Sequence, residues 1–387
     1  MLNPYRSFGI MICGLFLIAP TLVAGTTHQP KEAVVGYVFP QNNAILPGEI
    51  DASSMTRINY AFANIENGRM VTGFAKDKEN FAFFESLKKQ NPSLTVLVSV
   101  GGWLWSTNFS DVSLTRQSRT VFIQSVMEFL AQYHLDGLDI DWEYPGMPGA
   151  RHPFRSEDKQ NFTSLLQELR ARFDAETAKT HKRLYLSIAA GASDEFLAHT
   201  EMEKAQRYLD TVNLMAYDYY EPSSDAIAGN HAPLYTNPAD PKHISADTSV
   251  QAFEKAGVPA AKILLGLPFY GHMWGQVSAQ NHGLYQPGKQ VPNAYSNYGA
   301  ITSTMLDSGF DRYWDQAASA PYLYNPKTQI FVSYEDPESI KIKCAYVLTH
   351  KLGGVMFWDY EGDPSGALLR AIDSSLRSQT AGKATTP

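Results

Sequence analysis

The sequence predicts a (β/α)8 TIM barrel, an α/β fold, with a small α+β insertion between strands 7 and 8. Short apolar runs alternate with helical patterns along the chain, and residues 269–353 separate the last two runs. Strands covered by helices on both faces appear as continuous apolar runs, and their alternation with helices is typical of parallel α/β folds. A doubly wound sheet is the alternative, but the glycine-rich phosphate loop that would favour it does not follow the first run.

Eight apolar runs are candidate strands, and they cover residues 34–39, 58–65, 94–100, 137–142, 184–190, 211–216, 263–268 and 354–358. Helical spacing of apolar residues covers 81–89, 118–133 and 157–178. Thr200 with Glu203 indicates a capping box that begins a short helix. Asp336 and Pro337 indicate the N-cap and first turn of a helix that extends over 338–350.

The N-terminal segment 1–25 has the features of a signal peptide. Arg6 supplies a positive charge, residues 8–23 form an apolar stretch, and small residues allow cleavage after Ala24 or Gly25. The apolar stretch is shorter than the roughly 20 residues that span a membrane, although an uncleaved anchor is the alternative. We therefore expect a secreted protein, extracellular or periplasmic, with no membrane association after cleavage. The remaining chain is expected to divide into a barrel (31–377), its insertion (272–332) and a flexible tail (378–387).

The composition limits the possible partners. The net charge is -7, and no basic stripe is present, so nucleic acid is not expected to bind. The 21 Tyr, 20 Phe and 6 Trp exceed the needs of a core, which suggests that some form exposed stacking platforms. After signal cleavage, Cys344 is the only cysteine, and its apolar neighbours predict an inert buried thiol. We expect a monomer without a cofactor.

Three carboxylates alternate with apolar residues in the fourth predicted strand. Asp139, Asp141 and Glu143 lie two residues apart, which in a strand directs all three to the same face. Burying acids together is unfavourable unless they share protons or hydrogen bonds, so we expect Asp139 and Asp141 to share one proton. Glu143 is nearest the carboxyl end of the strand, where barrel active sites form, and is the candidate general acid.

This acid cluster has two other interpretations. It could be structural, or it could bind a hard cation such as calcium or magnesium, which prefers carboxylate oxygens. No histidine joins the cluster, and we expect no metal site. Asp136, which precedes the strand, is expected to brace its entrance.

These residues resemble the signature Asp-x-x-Asp-x-Asp-x-Glu of glycoside hydrolase family eighteen, the chitinase family. The signature is complete in this chain as Asp136, Asp139, Asp141 and Glu143. Trp142, Tyr144 and Pro145 are similar to the chitinase branch rather than to the endoglycosidases that act on N-glycans. Other segments agree in the expected order, namely 99–103 (SVGGW), 215–219 (MAYDY), 266–271 (GLPFYG) and 353–358 (GGVMFW). The resemblance extends over about residues 34–372.

The resemblance implies a secreted, retaining chitinase that cleaves β-1,4 bonds between N-acetylglucosamine units, with chitin or chitooligosaccharides as its partners. It also implies a substrate-assisted mechanism, in which the 2-acetamido oxygen of the sugar attacks the anomeric carbon. Glu143 is then the general acid and base. Asp141 orients the acetamide, Asp139 is its partner, Tyr217 donates to the acetamide oxygen, and Asp218 holds the −1 sugar. The enzyme is similar to endo-acting chitinases, although the sequence does not distinguish endo from exo cleavage.

Further substrate-binding residues are implied at the ends of the strands, and they are Trp358, Met215, Trp103, Gly102, Tyr144, Tyr37 and Tyr270. Trp358 corresponds to the floor under the −1 sugar, and Trp103 to a product-side platform. Trp105 and Trp274 are additional platform candidates, with rim packing as the alternative. Many family members carry an arginine where this chain has His272. The resemblance therefore implies no arginine contact with the sugar at this position.

Two other functions remain open. One is a non-catalytic chitin-binding lectin on the same barrel, although such relatives usually lose the catalytic acid. The other is an N-acetylglucosaminidase that acts on peptidoglycan or N-glycan.

Overall fold

The computed structural model describes residues 32–381, with side chains as far as residue 377. The predicted signal peptide (1–25) lies outside the described residues, as does most of the predicted tail (378–387). The last helix continues to Ala381, four residues into that tail. Within the described part of the chain, no helix is both long enough and apolar enough to cross a membrane.

The strands of residues 32–381 are, in chain order, β1 (Ala33–Val38), β2 (Arg57–Glu66), β3 (Arg69–Thr72), β4 (Thr95–Gly101), β5 (Gly137–Asp141), β6 (Tyr185–Gly191), β7 (Thr211–Met215), β8 (Ile227–Ala228), β9 (Ile263–Pro268), β10 (Tyr270–Gly275), β11 (Gln286–Pro287), β12 (Lys289–Asn297), β13 (Asp311–Asp315), β14 (Ala320–Asn325), β15 (Ile330–Ser333) and β16 (Gly354–Trp358). The α-helices of the same part are α1 (Asp77–Gln90), α2 (Phe109–Ser113), α3 (Arg116–Gln132), α4 (Asp158–Thr180), α5 (Asp194–Ala198), α6 (Met202–Ala205), α7 (Ala246–Lys255), α8 (Tyr298–Thr304), α9 (Pro337–His350) and α10 (Ala367–Ala381).

Eight parallel strands close into a barrel, which confirms the predicted fold. Their order around the ring is β1, β2, β4, β5, β6, β7, β9 and β16, and β1 pairs with both β2 and β16. Val35 of β1, for example, lies opposite Arg57 on one side and Met356 on the other. Each predicted strand coincides with one of these strands, and no end differs by more than one residue.

The apolar runs are buried because both faces of the barrel wall are covered. Leu138 and Ile140 point outward from β5 and are fully buried beneath the helices. The inner face is filled by a smaller cluster that includes Val35, Tyr37 and Met356. Burying one such aliphatic side chain contributes about 1.5–3 kcal/mol. The fold is therefore stabilised mainly by the size of its core.

The segment between β9 and β16 forms the predicted α+β insertion. Five strands make a sheet in the order β12-β10-β15-β14-β13, with helix α8 in the same segment. The neighbouring pairs are antiparallel. The sheet begins at Tyr270 and ends at Ser333, close to the predicted bounds of 272–332.

The two predicted helix caps had different outcomes. The Asp336 carboxylate accepts hydrogen bonds from the backbone N–H of Glu338 and Ser339, at 2.9 and 3.0 Å, which confirms the N-cap of α9. The capping box at Thr200 was wrong. Helix α6 begins after Glu201 without a side-chain cap, and the Thr200 hydroxyl instead donates to the Phe196 carbonyl at 2.8 Å.

Candidate active site

Strand β5 presents its acids to the barrel interior, as its alternating pattern predicts. Asp139 and Asp141 are 0% and 4% exposed, and Glu143 follows the strand at 9%. Trp142, on the opposite face, stacks on Phe109 with ring centroids 5.3 Å apart. The carboxylates thus form a column that rises from the barrel interior to its carboxyl-end mouth.

Asp139 lies at the base of this column and is fully hydrogen-bonded. It accepts from the hydroxyls of Tyr37, Ser99 and Ser187 at 2.8, 2.8 and 2.6 Å, and from the Asn213 amide at 3.0 Å. Burial raises the pKa of Asp139, and the three hydroxyl donors oppose that rise. The four donors come from four different strands, so they hold the carboxylate in one orientation.

Asp141 has a different environment. Its Oδ1 atom is buried, and no hydrogen-bond partner for it lies within the described residues. Burial, then the charges of Glu143 and Asp139, raise the pKa of Asp141 well above its usual value. We expected Asp139 and Asp141 to share one proton. Because Asp139 already accepts four hydrogen bonds, that proton is more favourable on Asp141.

Glu143 completes the column at the mouth of the barrel. Its backbone N–H donates to the Ser106 hydroxyl at 2.9 Å, which ties it to the loop that follows β4. Burial raises the pKa of Glu143 to about 7, opposed by a hydrogen bond from Tyr144 and reinforced by the charges of Asp218 and Glu221. A carboxyl group with this pKa can give up or accept a proton near neutral pH.

Gly101 and Gly102 allow the backbone after β4 to pass close to the acids. Their φ angles are +107° and +78°, a region that favours glycine. A Cβ on Gly101 would lie 2.2 Å from the Asp141 carbonyl oxygen. The Gly102 N–H donates to that oxygen at 2.8 Å.

Trp358 ends β16 beside three other aromatic rings. Its ring stacks on Phe62 at 5.5 Å and lies 5.4 and 5.7 Å from those of Phe39 and Tyr37. The side chain is only partly buried and lines the cavity. These neighbours hold the indole in place while part of it remains accessible.

A cavity of about 940 Å³ brings together ten of the twelve predicted site residues. They are Tyr37, Trp103, Asp141, Glu143, Tyr144, Met215, Tyr217, Asp218, Tyr270 and Trp358. The other two, Asp139 and Gly102, do not line it. Trp105 also lines the cavity, whereas Trp274 is fully buried and its indole N–H donates to the Asp225 carbonyl at 3.0 Å. Trp274 is therefore a packing residue.

Asp218 faces the cavity and is surrounded by donors. The Tyr270 hydroxyl and His272 Nε2 contact its Oδ1 atom at 2.6 and 2.8 Å, and His231 Nδ1 is 3.5 Å away. Burial opposes ionisation of Asp218, but the adjacent imidazoles of His231 and His272 outweigh it, and the pKa of Asp218 is held well below its usual range. Asp218 is therefore an ionised carboxylate at neutral pH.

Several residues of the site were not predicted from the sequence. Tyr295, from β12 of the insertion, stacks on Tyr270 at 4.6 Å and lines the cavity. Phe39 and Phe62 flank Trp358. The position of Phe39 directly after β1 could have signalled this, whereas Phe62 lies within β2. His231 belongs to a connection without regular pattern, so nothing in the sequence indicated its position.

Comparison with known proteins agrees with the fold. The family model described as "Glycosyl hydrolases family 18" matches residues 33–363. Chitinase A1 from Niallia circulans is 34% identical over an alignment that covers 94% of this chain and 62% of that protein. The chain therefore spans less than two thirds of that relative.

Two solved structures are similar to this one. Chitinase ChiW, a multi-modular enzyme from a Paenibacillus strain, has a TM-score of 0.84 and 38% identity, and the match covers 90% of this chain and 33% of ChiW. A glycoside hydrolase family 18 N-acetylglucosaminidase from Paenibacillus barengoltzii has a TM-score of 0.81 and 38% identity, over 89% of this chain and 99% of that one. Because the family model matches most of the length of this chain, the chain belongs to glycosyl hydrolase family 18.

Proposed function

We propose that the protein hydrolyses β-1,4 bonds between N-acetylglucosamine units of chitin or chitooligosaccharides, with retention of configuration. The observation that carries the proposal is the buried pair of Asp141 and Glu143 at the barrel mouth. The pKa of Glu143 is raised to about 7, and that of Asp141 lies well above its usual value. Glu143 therefore holds a proton in mildly acidic solution and can supply it to a glycosidic oxygen.

Glu143 acts first as the acid. Its proton passes to the glycosidic oxygen as the bond between that oxygen and the anomeric carbon breaks. The resulting Glu143 carboxylate then takes a proton from water, and the hydroxide attacks the same carbon. Because one group performs both steps, a pKa near neutrality suits it to each.

The attacking group in the first step is the substrate's own acetamide oxygen. A conventional retaining enzyme needs a second carboxylate about 5 Å from the acid, free to bond to the sugar. Asp218 is one of the other carboxylates that line the cavity, but the Tyr270 hydroxyl and His272 already bond to its Oδ1 atom. This arrangement suits Asp218 to holding the −1 sugar rather than to covalent attack. The acetamide oxygen supplies the nucleophile without a protein group.

Asp141 and its neighbours stabilise the oxazolinium that forms. The unpartnered Oδ1 of Asp141 accepts the acetamide N–H, while the Asp141 proton bonds to the newly formed Glu143 carboxylate. Asp139, held by its four donors, maintains the position of Asp141 from below. The Tyr217 hydroxyl donates to the acetamide oxygen; burial raises the Tyr217 pKa well above its usual value, so this group remains a donor.

Aromatic side chains bind the sugar rings. Trp358 supports the −1 sugar with its apolar face, which matches the C–H face of a pyranose. Trp103, 51% exposed, lies 6.5 Å from Tyr144 at the cavity rim and forms a platform on the product side. Tyr37, Met215, Tyr270 and Gly102 shape the walls around the −1 position.

A second candidate is an exo-acting N-acetylglucosaminidase. It is favoured by the similarity to the Paenibacillus barengoltzii enzyme, which bears that name. A non-catalytic lectin is less consistent with the retained Glu143. Secretion through the segment 1–25 and a monomeric state remain predictions.

Hydrolysis of the N-acetylglucosamine hexamer, followed at early times by NMR, tests the proposal. We expect β-anomeric products, with dimers to tetramers from an endo-acting enzyme and short products from one chain end for an exo-acting one. Initial α-anomers would contradict retention. Binding without any cleavage would support the lectin instead.

A further inference from the structure

Two histidines and a carboxylate converge at one wall of the cavity. One ligand atom each from Asp218, His231 and His272 lies within 4.8 Å of the other two. Asp218 Oδ1 is 2.8 Å from His272 Nε2 and 3.5 Å from His231 Nδ1. The two imidazole rings are 5.1 Å apart at an angle of 78°, so they approach the carboxylate from different directions.

His231 is a buried polar side chain without a hydrogen bond. It is fully buried, and neither ring nitrogen has a hydrogen-bond partner within the described residues. A buried nitrogen in this state is energetically unfavourable, and such groups often indicate a water or an ion at the site. The Nδ1 atom is the one nearest to Asp218, so the unsatisfied group faces the other two residues.

The three ligands match the preferences of zinc. Two imidazoles and one carboxylate form a mixed nitrogen and oxygen set, whereas calcium and magnesium prefer oxygen alone. Tetrahedral zinc with bonds of about 2.0–2.1 Å places its ligand atoms about 3.3 Å apart. The observed separations of 2.8 and 3.5 Å are close to that value. Small side-chain rotations would suffice to admit the ion.

The surroundings of the cluster also suit a metal. The Tyr270 hydroxyl donates to Asp218 at 2.6 Å and can orient the carboxylate as an outer-shell partner. The Asp218 side chain is 35% exposed on the cavity side. Water can therefore reach a fourth coordination position from the cavity.

We propose that Asp218, His231 and His272 bind one divalent ion of the zinc class, and that the bound ion competes with substrate. The ion would occupy the carboxylate that otherwise holds the −1 sugar. Only this competition depends on the proposed function, because binding of the ion itself requires nothing but the three side chains. The site would be inhibitory, and the hydrolytic steps at Glu143 would not use it.

Zinc binding by the untagged, chelator-treated protein tests the site directly. We expect calorimetry to give one tight equivalent of Zn²⁺ per chain, and Co²⁺ to give a visible absorption band as a spectroscopic probe. His231→Phe should weaken binding at least about tenfold, since one of three ligands is lost. His282→Gln is the matched control, because that histidine stacks on Tyr313 in the insertion, away from the cluster.

The outcomes separate the site from the enzymatic activity. Absence of Zn²⁺ binding to the unmodified protein, or unchanged binding by His231→Phe, would overturn the proposal. If His231→Phe does not fold, as judged by circular dichroism, His231→Asn is the second variant. In hydrolysis assays, Zn²⁺ should raise KM without changing kcat, and this effect should disappear in the His231 variant. If the protein hydrolyses no substrate, only the predicted competition between ion and substrate fails. Calorimetry still tests whether the three side chains bind the ion.

Discussion

Replacing Tyr144 by Phe should move the pH dependence of the reaction in a predictable direction. A hydrogen bond from Tyr144 lowers the pKa of Glu143, against the larger upward effect of burial, and the resulting value is about 7. Removing the hydroxyl leaves burial unopposed, so the pKa should rise. A hydrogen bond to a charged group contributes at least about 1.5 kcal/mol, and one pKa unit corresponds to about 1.4 kcal/mol. The expected increase is therefore about one unit.

The sign of the kinetic effect follows from the role of Glu143 as an acid. Only the protonated form can cleave the bond, so kcat/KM should fall about tenfold per pH unit above the pKa of Glu143. In the Tyr144→Phe variant this decline should begin about one unit higher. The assay is kcat/KM for a soluble chitooligosaccharide, measured from pH 5 to 10.

Tyr219→Phe is the matched control for this experiment. Its hydroxyl donates to Ser249 at 2.8 Å and not to a carboxylate. The control should leave the alkaline decline where it is in the unmodified protein. If kcat/KM of Tyr144→Phe begins to decline at the same pH as in the unmodified protein, or at a lower pH, the link between this hydroxyl and the proton on Glu143 is refuted.

Three further predictions concern the other parts of the site. Asp141→Asn should lower kcat by about 10²-fold or more, because an amide N–H is a weaker donor to the newly formed Glu143 carboxylate than the Asp141 carboxyl proton, and an unchanged initial rate on the N-acetylglucosamine tetramer would remove Asp141 from the mechanism. An oligosaccharide with hydroxyl groups in place of the 2-acetamides should not be cleaved, and rapid release of reducing ends from it would require a protein nucleophile. Gly101→Ala should lower the free energy of unfolding by about 1–3 kcal/mol, because of the positive φ and the clash with the Asp141 carbonyl, whereas an unchanged Tm would show that the backbone adapts.

The barrel could be predicted from the sequence because its strands are buried on both faces. The segments that became β9 and β16 have the bounds the sequence predicted. The common face of the three acids could be predicted from their two-residue period. The location of Trp358 at the cavity could be predicted from its position at a strand end. In these cases a local pattern determines the position of the side chain.

The parts that could not be predicted depend on contacts between distant segments. Tyr295 reaches the cavity only because β12 pairs with β10. His231 approaches Asp218 from an irregular connection, and sequence spacing contains no information about that approach. Thr200 looked like a helix cap, but α6 begins after Glu201, and the Thr200 hydroxyl donates to the Phe196 carbonyl. Trp274 looked like a platform, but its position in β10 places it in the core.

The central claim is that Glu143 supplies the proton for bond cleavage. The most direct test compares Glu143→Gln with the unmodified protein on the N-acetylglucosamine hexamer, measuring binding by calorimetry and turnover by product release. Glutamine has nearly the same shape but cannot donate a carboxylic proton, so binding should persist while kcat falls at least about 10²-fold. Turnover close to that of the unmodified protein would contradict the claim.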